Sequence, residues 1–173
     1  MAVLPILLYP DPVLRAKCRE VTDFGPELRR LVDDMVETMH AAPGIGLAAP
    51  QVGVDRRVAV IDLSVGEDPR ALLVMVNPKI LAQEGSAIDV EGCLSLPGIT
   101  EKVERPTGIV VAATRVDGEP FEVEAEEWVA RAICHELDHL DGVLFTDRLR
   151  GLKKEKARRA LKRLAEEREG VLV

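Results

Sequence analysis

The sequence predicts an α+β domain in which mixed or antiparallel β-sheets pack around a central helix, with one further helix near each end. Two observations support this class. Apolar residues recur at three- and four-residue steps in three separated stretches, whereas short apolar runs divided by turn residues fill positions 57–124. Consecutive strands followed by a helix, rather than strands alternating with helices, are typical of α+β folds.

The N-terminal region favours a turn-rich entry and then a helix. Three prolines among the first 12 residues disfavour a long helix there, and Asp11 followed by Pro12 is typical of the start of one short helical turn. After Gly25, apolar residues fall at helical spacing and charged residues occupy the other face, which predicts an amphipathic helix over about 26–40. Its apolar residues are Leu28, Leu31, Val32, Met35, Val36 and Met39.

A stretch with two glycines and two prolines, 42–51, ends this helix and precedes the strands. Its Gly-x-Gly pair lacks the third glycine, the lysine and the preceding strand of a phosphate-binding loop. We expect a break at Asn77-Pro78. The expected strands cover residues 58–61, 72–76, 87–90, 103–106, 108–114 and 121–124.

Length and composition predict a single globular domain over 1–173. Hydrophobic residues make up 47% and charged residues 31%, but aromatic residues only 3%, so the core must consist of aliphatic side chains. There is no run of 18 apolar residues and no export signal, which predicts a cytoplasmic protein without a membrane span. Three cysteines without a framework spacing fit a reducing compartment, where Cys18 is expected to be a small buried or half-buried thiol.

The motif with the clearest chemistry is His135-Glu136-Leu137-Asp138-His139, on a helix predicted from about Glu126 to Leu140. Residues four apart lie on the same helical face, so both imidazoles can point at one metal ion. The glutamate beside the first histidine can reach a water at that ion. Histidines that only pack or cap a helix are the alternative interpretation.

Two histidines need a third protein ligand if a catalytic metal is to keep an open position. A metalloprotease would take it from downstream, but no downstream carboxylate stands in a context that identifies it as a ligand. Upstream, Cys93 lies in a glycine-containing turn between predicted strands and could project its sulfur. Read alone, Cys93 fits a buried structural thiol better.

Three motifs taken together resemble peptide deformylase over essentially the full chain. They are Gly44-Ile45-Gly46-Leu47-Ala48-Ala49-Pro50-Gln51, Glu91-Gly92-Cys93-Leu94-Ser95 and the two-histidine motif, in the order and spacing of that family. The segments 103–106 and 141–145 are also similar to the family's. Cys134 departs from the pattern, since many members carry glutamine there, and we expect it to alter packing without altering the chemistry.

The resemblance implies that Cys93, His135 and His139 hold one divalent metal ion per chain. Ferrous iron is the metal expected in the cell, and zinc or nickel can substitute for it. The implied reaction is hydrolysis of the formyl group from the N-terminal formyl-methionine of newly made polypeptides, with release of formate. The alternative is a closed structural metal site in a non-enzymatic binding protein. Such a site would need a fourth protein ligand and would have no use for Glu136.

The same resemblance implies the catalytic residues. Glu136 would accept a proton from the attacking water and pass it to the departing amine. The Gln51 side-chain amide and the Leu94 backbone N–H would stabilise the oxyanion that forms on the formyl oxygen.

A further group of residues is predicted to bind the substrate. The Gly46 backbone would pair with the bound peptide, as its family counterpart does. By position, Ile45, Trp128, Ala132 and the aliphatic part of Arg131 could line an apolar pocket for methionine.

The charge distribution suggests a partner as well as a substrate. A C-terminal helix expected over about 151–168 lies in a segment, 151–173, with eight Lys and Arg against four Glu, or +4, which leaves −11 on the first 150 residues of a chain of net charge −7. Similar enzymes dock at the ribosomal exit through this helix, so the basic segment is predicted to bind there weakly. The chain is expected to be a monomer. A solvated helix packed on the body is the simpler interpretation.

Overall fold

The computed structural model describes residues 2–171, and side chains up to Arg168. It confirms the α+β class. The strands are β1 (Gly46–Ala48), β2 (Val58–Ile61), β3 (Leu73–Glu84), β4 (Ala87–Gly92), β5 (Thr100–Arg105), β6 (Gly108–Thr114) and β7 (Pro120–Glu126). Five of them form one antiparallel sheet in the order β1-β2-β3-β6-β7, and β4 pairs with β5 in a separate hairpin sheet. The helices are α1 (Pro26–Ala41), α2 (Glu127–Leu140) and α3 (Gly151–Val171).

Two local expectations differ from the structure. Asn77-Pro78 does not end a strand, because β3 continues through it with a register shift against β6 between Val76 and Lys79. Asn77 has a positive φ of 51°, and its side-chain amide exchanges two hydrogen bonds with the Val21 backbone, which accommodates the bulge. The glycine-rich stretch also contains the short strand β1, which composition did not predict.

Alternation along β2 places the larger sheet between two helices. Ala59 and Ile61 pack in the first hydrophobic cluster with the buried face of α2, and Val58 and Val60 pack in the second with α1. All four side chains are buried, as expected for a strand covered on both faces. The central position of α2, predicted from its motif, follows from this packing.

The third hydrophobic cluster joins α3 to the turn that carries Cys93. Ala157 and Leu161 of α3 pack with Leu96 and Phe145, and Cys93 lies against the same cluster. One side of α3 is therefore core structure. Leu152, in the first turn of α3, is 87% exposed, because it precedes the part of the helix that contacts the body. Within residues 2–171, none of the helices combines the length and apolarity that crossing a membrane requires.

Candidate metal centre and active site

Helix α2 positions the two histidines and the glutamate between them. His135 and His139 are one turn apart with ring centroids 5.0 Å from each other, and both are buried. The helix ends at Leu140, and the following Gly142 has a φ of 74°. An added Cβ at Gly142 would lie 2.4 Å from the Arg15 carbonyl oxygen, so only glycine allows this close approach.

The turn after β4 brings Cys93 to the same point. Cys93, His135 and His139 each offer one ligand atom, and these three atoms lie within 4.8 Å of one another. The His139 Nε2 atom is 3.3 Å from Cys93 Sγ. A thiolate with two imidazoles is a donor set that suits zinc or ferrous iron, and three protein ligands leave a position for water. The residues present therefore fit a single divalent transition metal.

His135 is oriented by Glu91 from the end of β4. Its Nδ1 atom lies 2.9 Å from Glu91 Oε1, which leaves Nε2 for a metal. Arg105 and Arg131 donate to the same carboxylate, at 2.8 and 2.9 Å for Arg105 and 2.8 Å for Arg131. Burial alone would raise the pKa of Glu91, but hydrogen bonds from Arg105 and His135 outweigh it and lower that pKa to about 2.

A second carboxylate extends this network away from the metal ligands. Asp138, within the histidine motif itself, accepts from Arg105 at 2.6 Å and from Arg148 at 2.7 and 3.1 Å. Arg105 thus bridges two buried carboxylates on different elements. No motif in the sequence assigns a role to Glu91, Arg105 or Asp138. The signal that could have identified them is a charged side chain on the inward face of a strand, as at Glu91 of β4 and Arg105 of β5.

The shifted pKa of Glu91 predicts an acid-sensitive stability. Because its pKa falls from 4.5 to about 2 on folding, the stabilisation is complete above about pH 4.5 and is lost as the pH drops towards 2. In urea unfolding with a chelator present, the free energy of unfolding should fall by about 1 kcal/mol more per pH unit in the wild type than in Glu91→Gln within this window. Parallel pH dependences would contradict the shift.

Glu136 lies beside the three candidate metal ligands, against β1. An added Cβ at Gly46 would lie 2.4 Å from Glu136 Oε2, so glycine is needed for this contact. The other carboxylate oxygen, Oε1, is buried and has no hydrogen-bond partner among the described residues. Burial raises the pKa of Glu136 to about 7. A carboxyl group beside the candidate metal ligands with a pKa near neutrality suits proton transfer.

Gln51 lies in the short helical turn after β1, and its side chain approaches the three candidate metal ligands. Its Oε1 accepts from the Ala48 N–H at 2.9 Å, which fixes the orientation of the amide. The Nε2 group then faces Ser95 Oγ at 3.1 Å and Cys93 Sγ at 3.7 Å. The amide donor is therefore directed at the space beside the candidate metal ligands.

A cavity of about 420 Å³ opens over these groups. Its wall includes most of the sequence-predicted site residues: Ile45, Gly46, Gln51, Cys93, Leu94, Trp128, Arg131, Ala132, His135 and Glu136. His139 lies just behind the wall, against Cys93. Arg131 does more than line the cavity with its aliphatic part, because its guanidinium is buried and donates to Glu91 and to the Ala87 and Val103 carbonyl oxygens.

The fold and this site define a metal-dependent hydrolase. A mononuclear donor set, an adjacent carboxyl group with raised pKa and a side-chain amide donor converge on one cavity. This combination can activate water and stabilise an oxyanion in one place.

Comparison with known proteins identifies the family. The sequence model of the polypeptide deformylase family matches residues 3–155. The chain belongs to this family, whose enzymes use a metal to remove the formyl group from N-terminal formyl-methionine. The resemblance stated from the three motifs is confirmed.

Relatives and solved structures agree with this assignment. The chain is 51% identical over 164 residues to a peptide deformylase of Acidobacterium capsulatum, a match that covers 95% of this chain and 96% of the relative. The crystal structure of the Thermus thermophilus peptide deformylase matches with a TM-score of 0.87 and 44% identity over 95% of this chain and 99% of that one. A peptide deformylase structure from Legionella pneumophila gives a TM-score of 0.88 and 40% identity, with 97% and 98% covered.

Proposed function

We propose that this chain hydrolyses N-formyl-methionyl nascent peptides with one metal ion held by Cys93, His135 and His139. The convergence of these three ligand atoms within 4.8 Å is the observation that carries the proposal. We further propose that residues 1–173 work as one catalytic domain, in a single protomer, since the ligands, Glu136 and Gln51 all come from the same chain.

The metal would lower the pKa of a water molecule to near neutrality and so supply the nucleophile. Glu136 would accept the proton from that water through its carboxylate, which lies against Gly46 in the wall of the cavity. It would then donate the proton to the amine that leaves, which is the N-terminal nitrogen of the peptide. A pKa near 7 suits both directions of transfer at neutral pH.

Charge that develops on the formyl oxygen would be stabilised by the Gln51 amide and the Leu94 backbone N–H. The Ala48 N–H holds the Gln51 oxygen, so the nitrogen is presented before substrate binds. Gly44 lets the two turns approach closely, because an added Cβ there would lie 2.9 Å from Leu94 Cδ1 and the Leu94 side chain would have to shift.

The methionine side chain would occupy the part of the cavity near Trp128 and Ala132. Ile45 and Trp128, 40% and 48% exposed, flank the opening, and Ala132 forms part of the wall. The Gly46 backbone lies at the outer edge of the larger sheet, where an extended peptide can pair with it. We propose these four residues, with Arg131, as the substrate-binding set.

Formate release from a formyl-methionyl peptide, with and without a chelator, tests this function. Release that a chelator abolishes and an added divalent metal restores supports deformylation. Cleavage of internal peptide bonds instead would favour a metalloprotease, and binding without turnover would favour a structural metal site.

We propose ferrous iron as the metal in the cell, with zinc or nickel able to substitute. A ferrous centre with a thiolate ligand is open to oxidation at both the metal and Cys93. Activity of the iron form should therefore decline in air faster than the folded fraction measured by circular dichroism. The nickel form should lose activity more slowly, and equal lifetimes would contradict the proposal.

We also propose that the protein acts in the cytoplasm, where the basic face of α3 docks weakly on the ribosome. The charges of Arg159 and Lys162 are exposed, whereas Ala157 and Leu161 on the same helix are buried. Neutralising the exposed charges is therefore a better test than truncating the helix, which would also remove core contacts.

The variant with Arg159→Gln and Lys162→Gln should sediment with ribosomes less than the wild type at low salt, because fewer phosphate contacts remain. Its hydrolysis of a free formyl peptide should be unchanged. Arg29→Gln with Arg30→Gln, two exposed cations of α1, is the matched control. Equal loss of ribosome binding in both double variants would mean that only the net charge of the protein matters. That result would contradict docking through α3.

A further inference from the structure

The N-terminal segment 6–9 lies outside both sheets, yet it contacts the two turns that carry Gln51 and Cys93. The Leu7 N–H donates to the Gln51 carbonyl oxygen at 2.7 Å, and the Tyr9 N–H donates to the Ser95 carbonyl oxygen at 2.9 Å. The two donors are separated by one residue, and one short segment therefore holds both turns through its backbone.

Those two turns belong to different parts of the fold. The Gln51 turn follows β1 in the larger sheet, and the Cys93 turn follows β4 in the hairpin sheet. The described strands form no pairing between the two sheets. Apart from segment 6–9, the direct polar link between the turns is the Gln51 side chain itself, through Ser95 Oγ and Cys93 Sγ. The distance from Gln51 to Cys93 thus depends on a few hydrogen bonds and on the packing of Leu94 against the second hydrophobic cluster, which contains Ala49.

Packing fixes the two ends of the segment in separate cores. Ile6 packs on the second hydrophobic cluster, which contains Ala49 of the Gln51 turn. Tyr9 packs on the third cluster, which includes Leu96 and contacts Cys93. Between them, the Leu8 carbonyl oxygen accepts from the Arg168 guanidinium, so α3 covers the segment from outside.

We propose that segment 6–9 is a positioning strap that sets the distance between the Gln51 amide and Cys93. This inference rests on the role proposed above for Gln51 as an oxyanion donor. A donor must lie close to 3 Å from the oxygen it stabilises, and a displacement of about 1 Å can lower a rate by roughly 100-fold. The strap supplies no metal ligand and does not line the cavity, so its effect should fall on kcat and leave metal binding intact.

Proline substitution distinguishes the two neighbouring backbone donors. Leu7→Pro removes the N–H that binds Gln51, whereas Leu8→Pro removes an N–H that donates to no acceptor among the described residues. We expect Leu7→Pro to lower kcat on a formyl-methionyl peptide by about 10-fold, with KM within twofold and one metal per chain, by analogy with a misplaced oxyanion donor. Leu8→Pro should retain kcat within twofold. Equal losses in both variants, or no loss in Leu7→Pro, would overturn the strap.

A double-mutant cycle separates the strap from the role of Gln51. If the strap acts through Gln51, Leu7→Pro should lower kcat no further in a Gln51→Ala background. A Gln51→Ala variant with wild-type kcat would contradict the proposed donor and the strap with it. A large loss in Gln51→Ala, to which Leu7→Pro adds its full effect, would contradict the strap alone.

If Leu7→Pro does not fold, semisynthesis decides. Cys18 allows a synthetic peptide of residues 1–17 to be ligated to the remainder of the chain. An ester in place of the amide at Leu7 removes the same N–H and keeps the side chain, and an ester at Leu8 is the control. A fall in kcat of about 10-fold for the Leu7 ester alone supports the strap, as for the misplaced donor above. Equal kcat in the two esters would overturn it.

Discussion

Replacing Glu136 by glutamine should lower kcat on a formyl-methionyl peptide by about 100- to 10,000-fold, the range attributed to general acid–base catalysis. Glutamine keeps the shape of the side chain but cannot accept the proton. The metal content should remain one ion per chain, because Glu136 is not among the three converging ligands. The measurement pairs steady-state formate release with metal analysis of the same sample.

Glu127→Gln is the matched control for this substitution. Glu127 lies on the same helix but is exposed, so its variant should keep wild-type activity. If Glu136→Gln retained more than about a tenth of the activity, proton transfer by Glu136 would not be part of the mechanism. If it lost its metal, the residue would act through the metal site instead.

Replacing Cys93 by alanine should remove the metal. Two imidazoles on one helix remain, but a transition metal then lacks the thiolate that fixes its third coordination position. The variant should release its metal during dialysis that leaves the wild type fully loaded, and deformylation should fall with the metal content. Because Cys93 only borders the third hydrophobic cluster, the fold should persist.

Alanine substitutions at the other two cysteines are the controls for Cys93→Ala. Cys18 and Cys134 are buried in the first cluster, and burial raises the pKa of both thiols, that of Cys18 to about 11. Cys18→Ala and Cys134→Ala should therefore keep stoichiometric metal. Tightly held metal in Cys93→Ala would place the third ligand elsewhere and contradict the proposed site.

Local sequence signals predicted the helices well. Helix α1 was expected over about 26–40 and spans Pro26–Ala41, and α2 was expected to end at Leu140 and does. Periodicity identifies such elements because their burial is one-sided and regular along the chain. The three-motif resemblance then identified the family and the reaction. The assigned roles of the catalytic and substrate-binding residues stay predictions that the variants above test.

Contacts between residues that lie far apart along the chain could not be predicted from the sequence. Arg105 joins Glu91 and Asp138, which lie 14 and 33 positions away, and no local pattern specifies such a pairing. The backbone donors Leu7 and Tyr9 are equally invisible, since every residue other than proline carries an N–H. The sequence did not predict the β3 bulge, because Asn77-Pro78 usually ends a strand. Only the contact of Asn77 with Val21 shows how the strand continues.

Anaerobic titration of the metal-free protein with ferrous iron tests the central claim most directly. Formate release from a formyl-methionyl peptide should rise in proportion to added iron and reach a plateau at one ion per chain, because one set of three ligands converges in the described structure. Substantial formate release before any metal is added, or a plateau at two ions per chain, would contradict a single metal centre on Cys93, His135 and His139.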